Sequence, residues 1–258
     1  SEEGLSYQDV LKEAQDLGYA EADPTADVEG LDAARKLAIL GSIAFNRRLF
    51  FEDVNCEGIS KIDKTDIKCG KDMGYVIKLL GIARESRKGV SLNVYPAFIP
   101  FEHPLASVRG SYNAVYIRGN GFDDVMLYGR GAGSLPTGSS VVADIMEEAI
   151  NVARHNTGRR IQFYYDQKEI YAPGKIESSY YMRLVVENKM GVLAKVAEKF
   201  AEQRISVLNV VQQMEKPETA TLVITTSKCP GAYISNVIDS FNHLRSVKSV
   251  ASVIRIMD

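Results

Sequence analysis

The feature that most constrains the fold is the order of hydrophobic patterns in residues 179–258. Residues 180–187 alternate in the manner of a strand, whereas residues 192–200 repeat apolar side chains with helical spacing. Two further strands, a second helix and a final strand are predicted at residues 205–213, 219–226, 232–244 and 247–257. The order β-α-β-β-α-β predicts one small domain with a split β-α-β plan.

The first 156 residues follow a different pattern, which predicts a mixed sheet with packed helices. The predicted elements are helices at residues 7–17, 27–46, 64–69 and 139–155 and strands at residues 75–83, 90–98, 111–118 and 123–128. Between the last two strands, Asn120-Gly121 tolerates positive φ at both turn positions, so we expect a hairpin there. Residues 157–178, with Gly158, Pro173 and Gly174, are interpreted as a linker. The fold class is therefore α+β, with domains at residues 1–156 and 179–258.

The helix predicted from Asp27 carries two charged residues ahead of an apolar stretch. Residues 37–45 (LAILGSIAF) are apolar on every side, so we expect them to be buried all round. Asp32 and Lys36 stand four residues apart and therefore share one helix face. One interpretation is a surface ion pair, which stabilises a helix by only about 0.3–0.5 kcal/mol.

The other interpretation is a proton-transfer site where a buried helix emerges into a cleft. A lysine there is partly desolvated, which favours the neutral form. A neutral amine takes a proton from an alcohol, and its ammonium form returns one to a carbonyl. Carboxylates at Glu21, Asp23 and Asp27 offer acceptors for a cationic substrate group, or else simply complement a helix N-terminus. Several carboxylates ahead of one lysine suit an amino-acid substrate better than a phosphate.

Charge and composition narrow the partners of the chain. There are 31 basic and 33 acidic residues, so no bulk positive field attracts nucleic acid or anionic membranes. The longest strongly apolar stretch, Leu37–Phe45, is far shorter than the roughly 20 residues that span a bilayer. The residues Ser1-Glu2-Glu3-Gly4 show neither a basic region nor an apolar core, so no signal peptide is visible. We therefore expect a cytoplasmic protein without membrane or nucleic-acid partners.

The cysteines and histidines do not form a recognisable metal or disulfide pattern. Cys56, Cys69 and Cys229 are odd in number and include no C-x-x-C pair, so we expect reduced thiols and no metal site. His103, His155 and His243 are far apart in sequence. A histidine-based centre would have to be assembled by the fold.

One segment resembles a known family. Residues 18–36 read G-Y-x-E-x-D-P-x-x-D-x-x-G-x-D-x-x-x-K, which resembles the signature of the homoserine dehydrogenases. The resemblance continues through NVYPAFIPFEHPLASVRGSYNAVYI and YGRGAGSLPTGSSVVADI, and residues 179–258 resemble a ferredoxin-like ACT domain. It implies an NAD- or NADP-dependent oxidoreductase that interconverts L-homoserine and L-aspartate 4-semialdehyde in threonine, methionine and isoleucine biosynthesis.

The same resemblance assigns roles to residues of the signature. It implies that Lys36 is the general acid/base and that Asp32 is a catalytic and substrate-binding residue. It further implies that Glu21 binds the substrate amino group, that Asp27 supports the site and that Gly18 closely approaches the substrate or the nicotinamide.

The glycine-rich loop at residues 129–133 is a poor dinucleotide fingerprint. Its spacing is G-x-G-x-G, and no β-α-β unit follows it. A tight strand-to-helix turn that requires glycine explains it equally well. By resemblance, Gly131 and Gly133 meet the nicotinamide end of the cofactor. Since no G-x-G-x-x-G unit precedes residue 18, we expect a fragment that lacks the nucleotide-binding domain and is inactive alone.

The C-terminal segment raises an alternative function. ACT domains bind amino acids at the turn after their first strand, which here contains Asn188, Gly191, Val192 and Leu193, with Asn209 on the second strand as a further polar candidate. Asparagine replaces the usual acidic residue at position 188, and a plain glycine turn that starts a helix remains the structural alternative. We expect an amino-acid effector such as threonine, and exposed strand edges predict a homo-oligomer. The alternative to an enzyme is thus a non-enzymatic ACT module that senses an amino acid and dimerises.

Overall fold

The computed structural model describes residues 7–16, 22–156 and 169–257. Its helices are α1 (Tyr7–Asp16), α2 (Thr25–Val28), α3 (Leu31–Phe45), α4 (Lys64–Asp72), α5 (Ser134–Ala153), α6 (Val192–Glu202) and α7 (Gly231–Phe241). Its strands are β1 (Asn55–Cys56), β2 (Tyr75–Ser86), β3 (Gly89–Pro100), β4 (Tyr112–Gly119), β5 (Asp123–Arg130), β6 (Glu177–Glu187), β7 (Val207–Lys216), β8 (Thr219–Thr226), β9 (Cys229–Pro230) and β10 (Val247–Ile256). The predicted elements are confirmed, except that the helix expected over 27–46 is broken at Gly30 and that β1 and β9 were not predicted.

The chain divides into two compact units whose limits differ from the sequence boundaries. The first unit comprises residues 1–24 and 101–164, and the second comprises residues 25–100 and 165–258. The predicted boundary between residues 156 and 179 therefore does not coincide with a break between compact units.

The second unit is built on one mixed sheet of eight strands, in the order β1-β3-β10-β6-β8-β7, with β2 paired to β3 and β9 to β6. Strand β3 pairs with β2 in antiparallel register along its whole length, and with β1 and β10 in parallel over shorter stretches. Because β10 comes from the C-terminal segment, the sheet continues across the predicted domain boundary. The start of β3 is also paired with the predicted linker, where the Tyr171 amide donates to the Val90 carbonyl at 2.7 Å.

The C-terminal part of this sheet is formed by β10, β6, β8 and β7, which pair with one another in antiparallel register. Helices α6 and α7 bury their apolar stripes against it, in agreement with the predicted helical spacing. The core residues are Tyr180, Met182, Leu184, Val186, Val192, Val196, Phe200, Ile205, Ala220, Leu222, Ile224, Cys229, Ile234, Val237 and Phe241.

Helix α3 packs on β2 and β3 through one face only. Ala34, Leu37 and Ala38 are buried there with Val94. The expected burial on every side is wrong, because Ile39 and other apolar residues of α3 are exposed within the described part of the chain. The helix forms a single layer on the sheet, and no described residue buries these side chains.

A third cluster of buried residues joins the two parts of the second unit. Phe98 of β3 meets Tyr181 of β6 edge to face, with ring centroids 5.0 Å apart. Beside this contact, the fully buried Asp66 of α4 accepts hydrogen bonds from Arg183 Nε at 2.7 Å, Ser252 Oγ at 2.9 Å and the Tyr181 hydroxyl at 3.1 Å. An ion pair buried at this depth is held by directional hydrogen bonds on all sides.

The first unit contains α1, the β4–β5 hairpin and α5. The hairpin forms a separate two-stranded sheet, so the expectation that it shares the sheet of β2 and β3 is wrong. The positive φ expected at Asn120-Gly121 is also wrong, since it falls on Asp123 at 54°. Gly119 pairs with Asp123 across a three-residue loop, in which the Phe122 ring lies over Gly119.

Candidate active site

The start of α3 is fixed by a glycine that no other residue replaces without strain. Gly30 caps the helix with φ of 74°, a left-handed conformation that favours glycine. A Cβ atom there would lie 2.9 Å from Val94 Cγ1 and 3.2 Å from Cys56 Sγ. The signature glycine thus allows the helix to begin directly against β1 and β3.

The turn before α3 is tied to the segment that follows β1. The Ile59 amide donates to the Val28 carbonyl at 2.8 Å, and the Cys56 thiol donates to the Glu29 carbonyl at 3.2 Å. Burial, with a smaller contribution from the Glu29 charge, raises the pKa of Cys56, so this thiol remains protonated as a donor. Residues 56–59 therefore position α2 and the first turn of α3.

The two charged residues predicted to form the site do lie on one face of α3. Lys36 Nζ is 2.6 Å from Asp32 Oδ2, and the side chains are 70% and 40% exposed. The expected desolvation of Lys36 is therefore wrong for this structure, because the ammonium projects from the open side of the single helix layer. Asp32 holds the amine in place and leaves it accessible to a bound molecule.

The remaining signature carboxylates are only partly described. Asp27 lies in α2 with an exposed side chain, and its carbonyl accepts from the Gly30 amide at 3.2 Å. Glu21 and Gly18 lie outside the described residues. In the second unit the structure thus places Asp27 in α2, the short helix that precedes the Asp32–Lys36 pair.

The predicted cofactor glycines lie in the loop between β5 and α5. A Cβ atom on Gly131 would lie 2.0 Å from Asn113 Nδ2, so close packing within the first unit explains this glycine. Gly133 precedes the first turn of α5, which has no side-chain cap. As at the start of any α-helix, the N–H groups of Ser134 and Leu135 have no acceptor within the helix itself.

The predicted effector turn is placed at the end of β6. The Asn188 side chain donates to the Pro217 carbonyl at 3.2 Å, which occupies part of its hydrogen-bonding capacity. Val192 is buried in the C-terminal core, whereas Gly191 and Leu193 are exposed. Asn209, on β7, donates to Thr225 Oγ1 at 3.2 Å. The open part of this turn is therefore its backbone at Gly191.

Two polar groupings were missed by the sequence analysis. The Asp66–Arg183 pair joins residues more than a hundred positions apart, and a cavity of about 520 Å³ combines Glu57 and Lys61 with Arg255. Only the arginine at 183, within the otherwise apolar strand pattern YYMRLVVE, signalled the first grouping. Within residues 7–16, 22–156 and 169–257 there is no group of three metal-ligating side chains and no helix that could cross a membrane.

The fold and the Asp32–Lys36 pair define an α+β protein with a lysine–carboxylate site at the start of a helix. The family model for homoserine dehydrogenase matches residues 1–146, which is more than half of the chain. The chain therefore belongs to the homoserine dehydrogenase family.

Relatives and solved structures agree with this assignment. The homoserine dehydrogenase of Bacillus subtilis is 40% identical over 252 residues, which cover 97% of this chain and 58% of the relative. That of Corynebacterium glutamicum is 41% identical over 258 residues, with 98% and 58% covered. A crystal structure of a homoserine dehydrogenase from Thiobacillus denitrificans gives a TM-score of 0.90 at 36% identity, and covers 100% of this chain and 60% of its own. The chain spans less than two thirds of each of these proteins.

Proposed function

We propose that this chain supplies the substrate-binding and proton-transfer part of a homoserine dehydrogenase. The observation that supports this most directly is the Asp32–Lys36 pair, 2.6 Å apart and exposed at the end of α3 that Gly30 fixes. It lies within the signature segment at residues 18–36. The reaction would interconvert L-homoserine and L-aspartate 4-semialdehyde.

Lys36 would serve as the general acid/base. In the oxidation, its neutral amine takes the proton of the substrate hydroxyl as the carbon–hydrogen bond breaks. In the reduction, its ammonium gives a proton to the carbonyl oxygen. Asp32 orients the amine and accepts from the substrate, while Glu21 and Asp27 are proposed to bind the substrate amino group and to support the site.

NAD or NADP, when bound, supplies the hydride acceptor or donor. The residues present fit one end of it, since the N–H groups at the start of α5 suit a carboxamide. Gly133 is proposed to allow that approach and Gly131 to shape the same loop. The sequence contains no G-x-G-x-x-G unit for the pyrophosphate.

The test uses a chimera in which residues 1–258 follow the portion of the Bacillus subtilis relative that they do not match. Lys36→Ala should lower kcat for homoserine oxidation at least ~100-fold, the lower range for a general acid/base. It should also remove the limb of the pH profile that reports this base. The matched control is Lys71→Ala, at an exposed lysine in the last turn of α4. Near-normal turnover with an unchanged pH profile would rule out the role of Lys36.

We further propose that residues 179–258 form an ACT-like regulatory domain that binds an amino acid such as threonine. Apart from the two-residue strand β9, their elements follow the order β-α-β-β-α-β, and this order and the exposed Gly191 support the proposal. Asn188, Val192, Leu193 and Asn209 would surround that position. Calorimetric titration of the whole chain with threonine tests it, and a saturable heat that Asn188→Ala leaves unchanged would exclude the turn.

A homo-oligomer in the cytoplasm is part of the same proposal. Strand β7 ends the sheet and exposes Leu208, Val210 and Val211, which is unusual for an unpaired edge. Pairing of this edge with a second copy would satisfy its free backbone N–H and C=O groups, and side chains of that copy would pack beside these apolar residues.

A further inference from the structure

The tip of the β4–β5 hairpin carries a glycine that the turn itself does not require. Asn120 and Gly121 lie in the three-residue loop between Gly119 and Asp123. The left-handed residue of this turn is Asp123, and Gly121 is not among the residues with positive φ. A Cβ atom on Gly121 would have no described atom within 4 Å. A residue with a side chain would therefore fit this position equally well.

The same two residues are unrestrained within the described part of the chain. Both are exposed. Neither the Asn120 side chain nor the Gly121 amide makes a hydrogen bond to any described residue. The Phe122 ring, the large apolar group of the loop, lies over Gly119 and not over Gly121. The Gly121 nitrogen can therefore approach the side-chain carbonyl of Asn120 without breaking a contact.

An asparagine followed by glycine is the sequence in which this approach is least hindered. A main-chain nitrogen that attacks the side-chain amide of the preceding asparagine closes a five-membered ring, and the side chain of its own residue obstructs the attack. Glycine has no such side chain and reaches the required backbone angles readily. The sequence contains no other asparagine that is followed by glycine.

We propose that Asn120 is a site of spontaneous covalent modification, which loses ammonia by cyclisation with Gly121 and is then hydrolysed. The Gly121 nitrogen bonds to Asn120 Cγ as the bond from Cγ to Nδ2 breaks. The amide proton of Gly121 passes to a solvent base, and the departing amine takes up a proton. Water then opens the ring, either at Cγ to leave an ordinary aspartyl residue or at the main-chain carbonyl to leave a β-aspartyl linkage. Nothing is oxidised or reduced, and one water is consumed for each ammonia released.

Either product changes the hairpin. It adds a negative charge to a loop that ends at Asp123 and precedes Asp124, whose carboxylate accepts from Arg118 Nε at 2.7 Å. The β-aspartyl form also lengthens the main chain by one carbon. Because the loop sets the register of a hairpin, the pair between Gly119 and Asp123 should be lost in that form.

Peptide mapping of the 258-residue chain after incubation in mildly alkaline buffer tests the proposal. Trypsin releases residues 119–130, in which Asn120 is the only side-chain amide. It also releases residues 110–118, whose only side-chain amide is the exposed Asn113, which is followed by alanine. The first peptide should gain about 1 Da at least about tenfold faster than the second, since only its asparagine precedes glycine. A smaller ratio would overturn the proposal, because the loop would then protect Asn120.

Variants and an enzymatic label identify the route. Gly121→Ala should slow the mass gain at least about tenfold without lowering the melting temperature, because the added methyl group obstructs cyclisation but meets no neighbour. Asn120→Gln should abolish the fast mass gain, since its longer side chain cannot close the same ring. Protein β-aspartyl methyltransferase should methylate residues 119–130 of the incubated wild-type chain. Mass gain without this label, or a smaller reduction in Gly121→Ala, would refute the cyclisation.

Hydrogen exchange measures the effect on the hairpin. Amides of residues 112–130 should exchange faster in the incubated wild-type chain than in Gly121→Ala incubated alongside it. Equal protection would overturn the predicted loss of the pair between Gly119 and Asp123. These readouts do not depend on catalysis, so their failure is distinguishable from failure of the dehydrogenase proposal.

Discussion

Replacement of Asp66 by asparagine should severely destabilise the second unit. Asp66 is fully buried and receives two hydrogen bonds from Arg183, whose side chain is 8% exposed. Asparagine keeps the size of the side chain but leaves the guanidinium with one carboxylate, Asp63, which is half exposed. Loss of one partner from a buried ion pair costs about 3–5 kcal/mol, and because Asp63 remains we expect about 3 kcal/mol.

Urea denaturation at pH 7, followed by far-ultraviolet circular dichroism because the chain has no tryptophan, measures this loss. Asp63→Asn is the matched control. Its side chain caps α4 by accepting from the Thr65 amide at 2.6 Å, and asparagine caps equally well. The control should therefore cost no more than about 1 kcal/mol. If Asp66→Asn lowers the free energy of unfolding by less than about 1 kcal/mol, or by no more than the control does, the buried network contributes less to stability than its burial implies.

The contribution of Asp63 to stability, which the control variant removes, depends on pH. Burial tends to raise the pKa of Asp63, but the backbone N–H of Asp66, the Arg183 charge and the Thr65 N–H outweigh it, so the folded pKa is lowered. The contribution of Asp63 is fully present above the unfolded value near 3.8 and is lost as the pH falls through the lower folded value. The difference in stability between wild type and Asp63→Asn should fall to zero between pH 3.8 and the lower folded pKa. A difference that persists below that range would contradict a lowered pKa for Asp63.

Three further outcomes are expected. Gly30→Ala should lower stability by about 1–3 kcal/mol in the same denaturation assay, because φ is 74° and Val94 occupies the Cβ position; an unchanged midpoint would contradict this. The Glu187 carboxyl, which accepts from Lys248 Nζ at 2.7 Å, should titrate by NMR with a pKa of about 2 and shift upward in Lys248→Gln; equal titration in both proteins would refute the ion pair. Val210→Glu on the β7 edge should lower the sedimentation coefficient if that edge is the oligomer interface, and an unchanged value would exclude it.

The elements of the fold were largely predictable because their patterns are local. The strand at Thr219–Thr226 was predicted at its observed limits, since a run of β-branched residues bounded by turns is unambiguous. The pairing of β3 with β10 was not predictable, because residues about 160 positions apart carry no shared periodicity. The exposed side of α3 was not predictable for a similar reason. The apolar pattern predicts that Ile39 is buried, and only the three-dimensional packing shows that it is exposed.

The candidate site, like the fold, was predictable only where it depends on local sequence. The Asp32–Lys36 pair follows from helix geometry, and its 2.6 Å separation confirms the shared face. Its exposure depended on how many layers cover α3, which is a tertiary property. The cavity beside Tyr180 could not be anticipated, because its lining residues come from widely separated segments of the chain.

The seam between β3 and β10 has a mechanical consequence. The backbones meet there over only two residue pairs, Arg255 with Ala97 and Ile256 with Phe98. A contact of only two residue pairs would by itself let the two halves of the sheet bend easily. The fully buried Asp66 of α4 opposes this bending, because it accepts hydrogen bonds from Arg183 on β6 and Ser252 on β10. Bending between β3 and β10 must first break this network of charge-assisted hydrogen bonds. A partly bent conformation would lose these hydrogen bonds without forming new contacts, so it is not stabilised. We therefore expect the two halves of the sheet to adopt two discrete arrangements, with the network intact or broken, rather than a continuous range of angles.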